Sequence, residues 1–238
     1  MSERTDTQLS APSVLPVALV ALFVTALVTA QVTASKLLEF GLPFELPVVE
    51  SSLVLPGAAL AYAVTFFATD CYAELYGRRA ATVVVNVGFL MNFVLLALVW
   101  AAILAPAAPF QSFPPGAFED VLGSSTAIVV GSLAAYVVSQ NWDVFVFHRI
   151  REYTDGEYLW LRNIGSTATS QLIDTVIFIT VGFVVLQDFT VDDAVTLMAG
   201  QYLFKLGIAV ADTPFVYAVV GAARSDRDWS VAALTGSK

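Results

Sequence analysis

Long apolar runs, not strand-like alternation, organise this chain. Six stretches of mostly apolar residues follow one another, separated by short polar or proline-bearing segments. Runs of about 18 or more such residues are what a helix needs to cross ~30 Å of hydrocarbon. The pattern predicts spans over about Val14–Ser35, Ser52–Thr69, Ala81–Leu104, Ser125–Phe147, Ser166–Leu186 and Ala194–Ala222. The segment with Glu39, Glu45 and Glu50, broken by Pro43 and Pro47, reads as a loop. "APAAPFQSFPPGAFED" reads as an interfacial loop, and "HRIREYTDGEYLWLRN" as a charged connection. A transmembrane β-strand would alternate over ~10 residues; these runs are continuous and about twice that length. The expected fold is an all-α membrane protein, a six-transmembrane-helix bundle. Residues 13–223 form its single domain, with a polar tail at 1–12 and a second tail at 224–238. The first run is too long for a signal-peptide core and lacks a basic start, so it reads as a retained span.

Composition agrees with that reading. The chain is 58% hydrophobic and 13% charged, against roughly half and a quarter in soluble domains. A soluble helical protein could not cover so much apolar surface. Basic residues set the orientation. Arg78 and Arg79 lie between spans two and three; Arg149, Arg151 and Arg162 lie between four and five. Arg4 precedes the first span, and Arg224, Arg227 and Lys238 follow the sixth. The other side carries Glu39, Glu45, Glu50, Glu119, Asp120, Asp188, Asp192 and Asp193, with Lys36 among them. Both termini are therefore expected in the cytoplasm, on a multi-pass protein of the cytoplasmic membrane. A net charge of −9 argues against nucleic acid as a partner, because nucleic-acid binders carry a basic footprint. The single cysteine, Cys71, allows no intrachain disulfide and no cysteine-based zinc site. No metal or other cofactor is implied.

The candidate chemistry lies in the few polar residues inside the spans. An Asp at a helix centre costs about 2.5–3.5 kcal/mol on insertion scales, so such residues face the bundle interior or a wet cavity. Span four contains "SQNWD" and span five "SQLID", the same Ser-Gln-x-x-Asp pattern. At about 100° per residue, Tyr136, Ser139, Gln140, Asp143 and Phe147 share one face. Thr167, Ser170, Gln171, Asp174 and Phe178 do the same on span five. The two helices are antiparallel neighbours, so both triplets reach a similar depth and can build one polar pocket. Span six adds Gln201, Lys205 and Asp212 on one stripe, with Pro214 as a kink site. Lys205 is the natural charge partner of a buried carboxylate. Asn86 and Asn92 on span three divide between ligand contact and helix–helix glue. Trp142 could stack on a flat ligand or belong to an interfacial belt. Asp70, Glu74, Arg78 and Arg79 read as an ion network at the cytoplasmic end of span two. His148 reads as a surface residue beside Arg149. The sequence holds no G-x-x-x-x-G-K-[ST] and no H-E-x-x-H, so the chain itself should not hydrolyse ATP. An aspartyl protease is disfavoured, because the repeated Ser and Gln suit ligand hydrogen bonding better than a water-activating dyad.

"TDCYAELYGRRAA", "SQNWDVFVFHRIRE" and "WLRNIGSTATSQLIDTVIF" together resemble the queuosine precursor transporter family, grouped with six-helix vitamin-uptake transporters. The resemblance extends from about Pro56 to Gly221. Its specific residues are Asp70, Glu74, Tyr76 and Gly77, then Ser139-Gln140-x-x-Asp143, then Arg162-Asn163 through Ser170-Gln171-x-x-Asp174-Thr175. Ala81 departs from it, where another basic residue is expected. The resemblance implies uptake of a 7-deazaguanine such as preQ0 or preQ1, and no enzyme activity. The residues suit such a ligand: a carboxylate accepts two adjacent N–H donors of a guanine-like edge, and Gln140 and Gln171 both donate and accept. The expected binding set is Asn92, Gln140, Trp142, Asp143, Ser170, Gln171 and Asp174. Lys205, Asp212, Asp70, Glu74, Arg78 and Arg79 form the coupling or charge network. Partners are the small-molecule substrate and the lipid bilayer, with a second copy of the chain or an ATPase module left open. The alternatives are a substrate-binding subunit of an ATP-driven uptake system and an intramembrane enzyme.

Overall fold

The computed structural model describes residues 13–46, 49–112, 114, 116–155 and 157–235, the last eleven by backbone alone. The Met1–Pro12 tail and Lys238 lie outside the described residues. Helix α1 runs Val14–Thr33, followed by a hairpin of strands β1 (Leu37–Leu46) and β2 (Glu50–Pro56). Helix α2 (Ala58–Tyr76) and α3 (Arg78–Leu104) follow, then a short α4 (Ala117–Gly123). Helix α5 is Ser125–Tyr153; α6 is Leu159–Ile179 and continues as a π-helical segment over Thr180–Val185. Helices α7 (Val191–Ala211) and α8 (Thr213–Thr235) complete the described chain. Among the described residues, five helical segments are long and apolar enough to cross a membrane: Val14–Thr33, Arg78–Leu104, Ala117–Tyr153, Ile164–Val185 and Val191–Arg224. The protein is thus a helical, multi-pass membrane protein. Helix α2, which carries Asp70 and Glu74, stands outside that set.

The hairpin corrects the expected loop and the expected start of span two. Strands β1 and β2 pair antiparallel from Leu37↔Pro56 to Gly41↔Ser52, with an irregularity before Leu46↔Glu50. Ser52–Pro56 is therefore strand, and the helix begins only at Ala58. Pro56 is the physical reason: it has no N–H for a helix and pushes its predecessor toward extended backbone. The hairpin is built into the bundle. Leu55 is fully buried, Gly57 N–H donates to the Lys36 carbonyl at 2.7 Å, and β2 lies against α7.

Close helix contacts rest on small residues, as is usual where helices pack in lipid. Gly131 of α5 meets the backbone of Gly182, where an added Cβ would stand 3.0 Å from Gly182 Cα. The main apolar core joins Ala30 of α1 and Ala34 just beyond it, Ile128 and Ala135 of α5, Phe178, Ile179 and Phe183, and Leu197 of α7. Helices α2 and α3 are separated by Gly77 alone, at φ +89°, a conformation that glycine adopts without steric cost. At the other end of the chain, the predicted kink appears as a break at Asp212 between α7 and α8. Pro214 cannot donate to the helix ladder there.

Gly200 gives a direct test of the hairpin's seat. A Cβ at this position would collide with the Val54 carbonyl oxygen, whereas at Gly207 it would meet nothing within 4 Å. Gly200→Ala should cost about 1–3 kcal/mol, the usual range for overpacking. Gly207→Ala should be neutral or slightly stabilising, because it restrains the unfolded chain. Thermal unfolding of the two variants in detergent measures the difference.

Candidate functional site

The repeated triplets meet across the α5–α6 interface in a crossed arrangement. Ser139 Oγ on α5 donates to Asp174 Oδ1 on α6 at 3.3 Å, and Ser170 Oγ on α6 donates to Asp143 Oδ1 on α5 at 3.3 Å. Each Ser precedes its Asp by four residues, one helical turn. In an antiparallel pair, the Ser of one helix then stands level with the Asp of the other. The same register carries outward: eight residues from Ser139 and eight from Asp174, Gly131 meets Gly182. Ser139 and Ser170 are 5% and 7% exposed, so these bonds are made away from lipid.

Asp174 has a second and stronger partner. Lys205 Nζ of α7 stands 2.6 Å from Asp174 Oδ2, and Lys205 is 8% exposed. One carboxylate thereby joins three helices: α6 carries it, α5 supplies a hydroxyl and α7 an ammonium. An unpaired charge at this depth would be expensive; the ion pair with a bridging hydroxyl meets that demand.

Two adjoining cavities surround the pair. An inner chamber of about 230 Å³ lies between α1, α2, α3, α5, α6 and α7. Its apolar walls include Phe23, Phe66, Phe89, Tyr136 and Phe178, and its polar groups include Tyr62, Gln140, Gln171, Asp174, Gln201 and Lys205. Tyr136 is fixed by its hydroxyl, 3.0 Å from Asn86 Oδ1, and by a ring contact with Phe89 at 4.0 Å. A vestibule of about 560 Å³ lies between α2, the start of α3, α6, α7 and α8, with Asp70, Glu74, Arg78, Asp212 and Arg224 on its walls. Phe66, Gln171 and Lys205 line both spaces. They form the neck between chamber and vestibule.

The expected site residues divide among these places. Gln140, Gln171 and Asp174 line the chamber. Ser170 is held in the helix interface by Asp143, and neither belongs to the chamber wall. Trp142 is 39% exposed, with its indole N–H 3.2 Å from Thr169 Oγ1. Asn92 is fully buried on α3, outside both cavities, and its amide atoms find no partner among the described residues. Lys205 stands at the neck, and Asp70, Glu74, Arg78 and Asp212 line the vestibule, while Arg79 does not. The ion pair that Glu74 makes is with Arg224 of α8, at 3.4 Å. Sequence reasoning passed over Tyr62, Phe66 and Phe89 as chamber residues. Nothing distinguishes them there from the other aromatics of the spans.

The chain matches the family model described as "Putative vitamin uptake transporter" over residues 56–219. That range begins where the hairpin ends and holds most of the residues around both cavities. A protein of Bacillus subtilis named "Probable queuosine precursor transporter" is 35% identical over 158 residues, which is 66% of this chain and 68% of that one. A protein of Haemophilus influenzae with the same name is 29% identical over 163 residues, 68% of this chain and 66% of that one. No solved structure matches the chain.

The ion pair makes an energetic prediction. Breaking a buried pair from one side typically costs about 3–5 kcal/mol. Asp174 keeps a side-chain exposure of 26%, so Lys205→Met or Asp174→Asn should fall below that range. The double variant should recover most of the loss, because no charge is then left unpaired. A double-mutant cycle on melting temperature measures the coupling.

Proposed function

The chain belongs to the family described as putative vitamin uptake transporters, and we propose that it imports a 7-deazaguanine precursor of queuosine or archaeosine, such as preQ0 or preQ1. The printed names of its relatives, transporters of a queuosine precursor, support this class of substrate. The observation that carries the reading is the Asp174 carboxylate, presented to an aromatic-walled chamber that continues into a vestibule. The chamber lies below the ~300–1,000 Å³ of pockets for drug-sized ligands, as suits a compact flat heterocycle.

The proposed topology has six spans: α1, α2, α3, α5, α6 with its π segment, and α7 with α8. At 1.5 Å per residue, the 19 residues of α2 reach about 28 Å, close to the hydrocarbon thickness. Arg78 and Arg224 both border the vestibule, so the positive-inside rule turns its mouth to the cytoplasm. Both termini lie on that side, and the membrane is the cytoplasmic one. The described conformation is then open inward.

Binding works by exchange. Asp174 already accepts from Lys205 and Ser139. A guanine-like edge brings adjacent N–H donors that can replace the ammonium at the carboxylate. Gln140 and Gln171 meet the ring carbonyl or nitrogen, and the aromatic walls cover the faces. Lys205, released, has the carboxylates of Asp212 and Asp70 on the vestibule side. The break at Asp212 lets α8 move against α7 and close the vestibule.

Uptake into proteoliposomes tests the proposal. The purified chain alone, without an ATPase module, should import labelled preQ0 or preQ1. Asp174→Asn should lower uptake about 10- to 100-fold, the value of a charge-assisted hydrogen bond. Asp143→Asn should keep a near-normal KM, since Asp143 stands outside the chamber wall. Uptake only in the presence of an added ATPase would favour a binding subunit instead, and normal uptake by Asp174→Asn would remove that carboxylate from the site.

A further inference from the structure

Gln201 sits on α7 one turn before Lys205, is 5% exposed and lines the inner chamber. Its side-chain oxygen is buried and has no hydrogen-bond partner among the described residues. Leaving such a group unmet destabilises the fold. An orphaned polar atom in a native interior calls for an explanation. Lys205, one turn further along α7, makes its bond to Asp174 at 2.6 Å and none to this oxygen. The Gln201 oxygen is therefore an acceptor left unmet among the described residues, on a side chain that lines the chamber.

We propose that Gln201 is a specificity residue of the chamber, its side-chain oxygen accepting the N–H on the five-membered ring of a 7-deazaguanine base. The assignment rests on the transport reading above and adds a second recognition edge to it. Four residues along a helix rise about 6 Å. The Gln201 carboxamide accordingly stands one turn beyond the ammonium that marks the Asp174 end of the chamber. A flat two-ring ligand whose amino and lactam donors reach Asp174 directs its five-membered ring to the level of Gln201. That ring N–H exists only in the free base. In the nucleoside the same nitrogen carries the sugar, so the donor is lost and bulk takes its place. A site built around a hydrogen bond rejects analogues that lack the group, because its buried partner is then left unpaired. Gln201 thus distinguishes base from nucleoside at the end opposite the carboxylate.

A group kept for a ligand and not for the fold has a recognisable signature. Replacing it by an apolar side chain of similar volume should spare stability while weakening binding. The test uses full-length protein in detergent, with Gln201→Met and Gln201→Leu. The probes are a 7-deazaguanine base and its derivative methylated on the five-membered-ring nitrogen. Without ligand, the variants should melt at the wild-type temperature or above it. Base affinity should fall about tenfold or more. Wild-type protein should prefer the base over the methylated derivative by about tenfold or more, and in the variants that ratio should shrink toward one. A lower ligand-free melting temperature in both variants, unchanged base affinity, or equal wild-type binding of the two probes would each overturn the assignment. If the wild type binds no base at all, the transport reading fails and takes this assignment with it. Wild-type binding that survives intact in the variants overturns Gln201 alone.

Discussion

A carboxylate held within apolar helices must be given a partner, and the pairing of Asp174 with Lys205 answers that constraint. The 2.6 Å contact ties α6 to α7, and the Ser139 hydroxyl ties the same group to α5. Three helices thus share one charge. The cost of burying it is offset only while all three keep their positions, so the pair fixes geometry as well as charge. The chamber forms on one side of this junction and the vestibule on the other. Phe66 and Gln171 stand with Lys205 where the two meet.

The repeated triplet gains its meaning from antiparallel packing. Read along one helix, Ser-Gln-x-x-Asp is a hydroxyl one turn before a carboxylate. Read across two opposed helices, it becomes two crossed hydroxyl–carboxylate bonds. The two halves then part company. Asp174 lines the chamber and Asp143 does not, although their local sequences match. What separates them is a third helix, α7, which packs on α6 and brings its ammonium to one of the two carboxylates only.

This explains how far the sequence could be read. Five of the expected spans were visible because hydrophobic run length is a local property set by bilayer thickness. The helical stripe that carries Gln201, Lys205 and Asp212 was visible for the same reason, and so was the break near Pro214. The hairpin escaped because "SSLVLP" has the apolarity of a helix start, and only Pro56 signals otherwise. Which carboxylate faces the chamber depends on the rotation of α5 and α6 against α7, which no single-helix pattern encodes. The aromatic wall was hidden likewise: Tyr62, Phe66 and Phe89 look like any lipid-facing ring until neighbouring helices are in place. The Glu74–Arg224 pair joins residues 150 positions apart, and adjacency in sequence pointed instead to Arg78 and Arg79.

If binding proceeds by the proposed exchange, electrostatics also constrains the order of events. Losing Lys205 first would leave the Asp174 carboxylate with Ser139 as its donor, which costs more than exchanging one charged partner for another. A ligand's N–H groups must arrive as the ammonium leaves, so recognition and release of the latch are one step. Ligands that lack paired donors can enter the chamber yet leave the ion pair intact. A ligand shifts a conformational equilibrium only through differential affinity for its two states. Movement of α8 about Asp212 would then follow from substrate chemistry, with Lys205 carrying the signal from chamber to vestibule. On this account selectivity is exercised in the conformational step as well as in binding. A compact apolar molecule that fits between the rings would still fail to be carried.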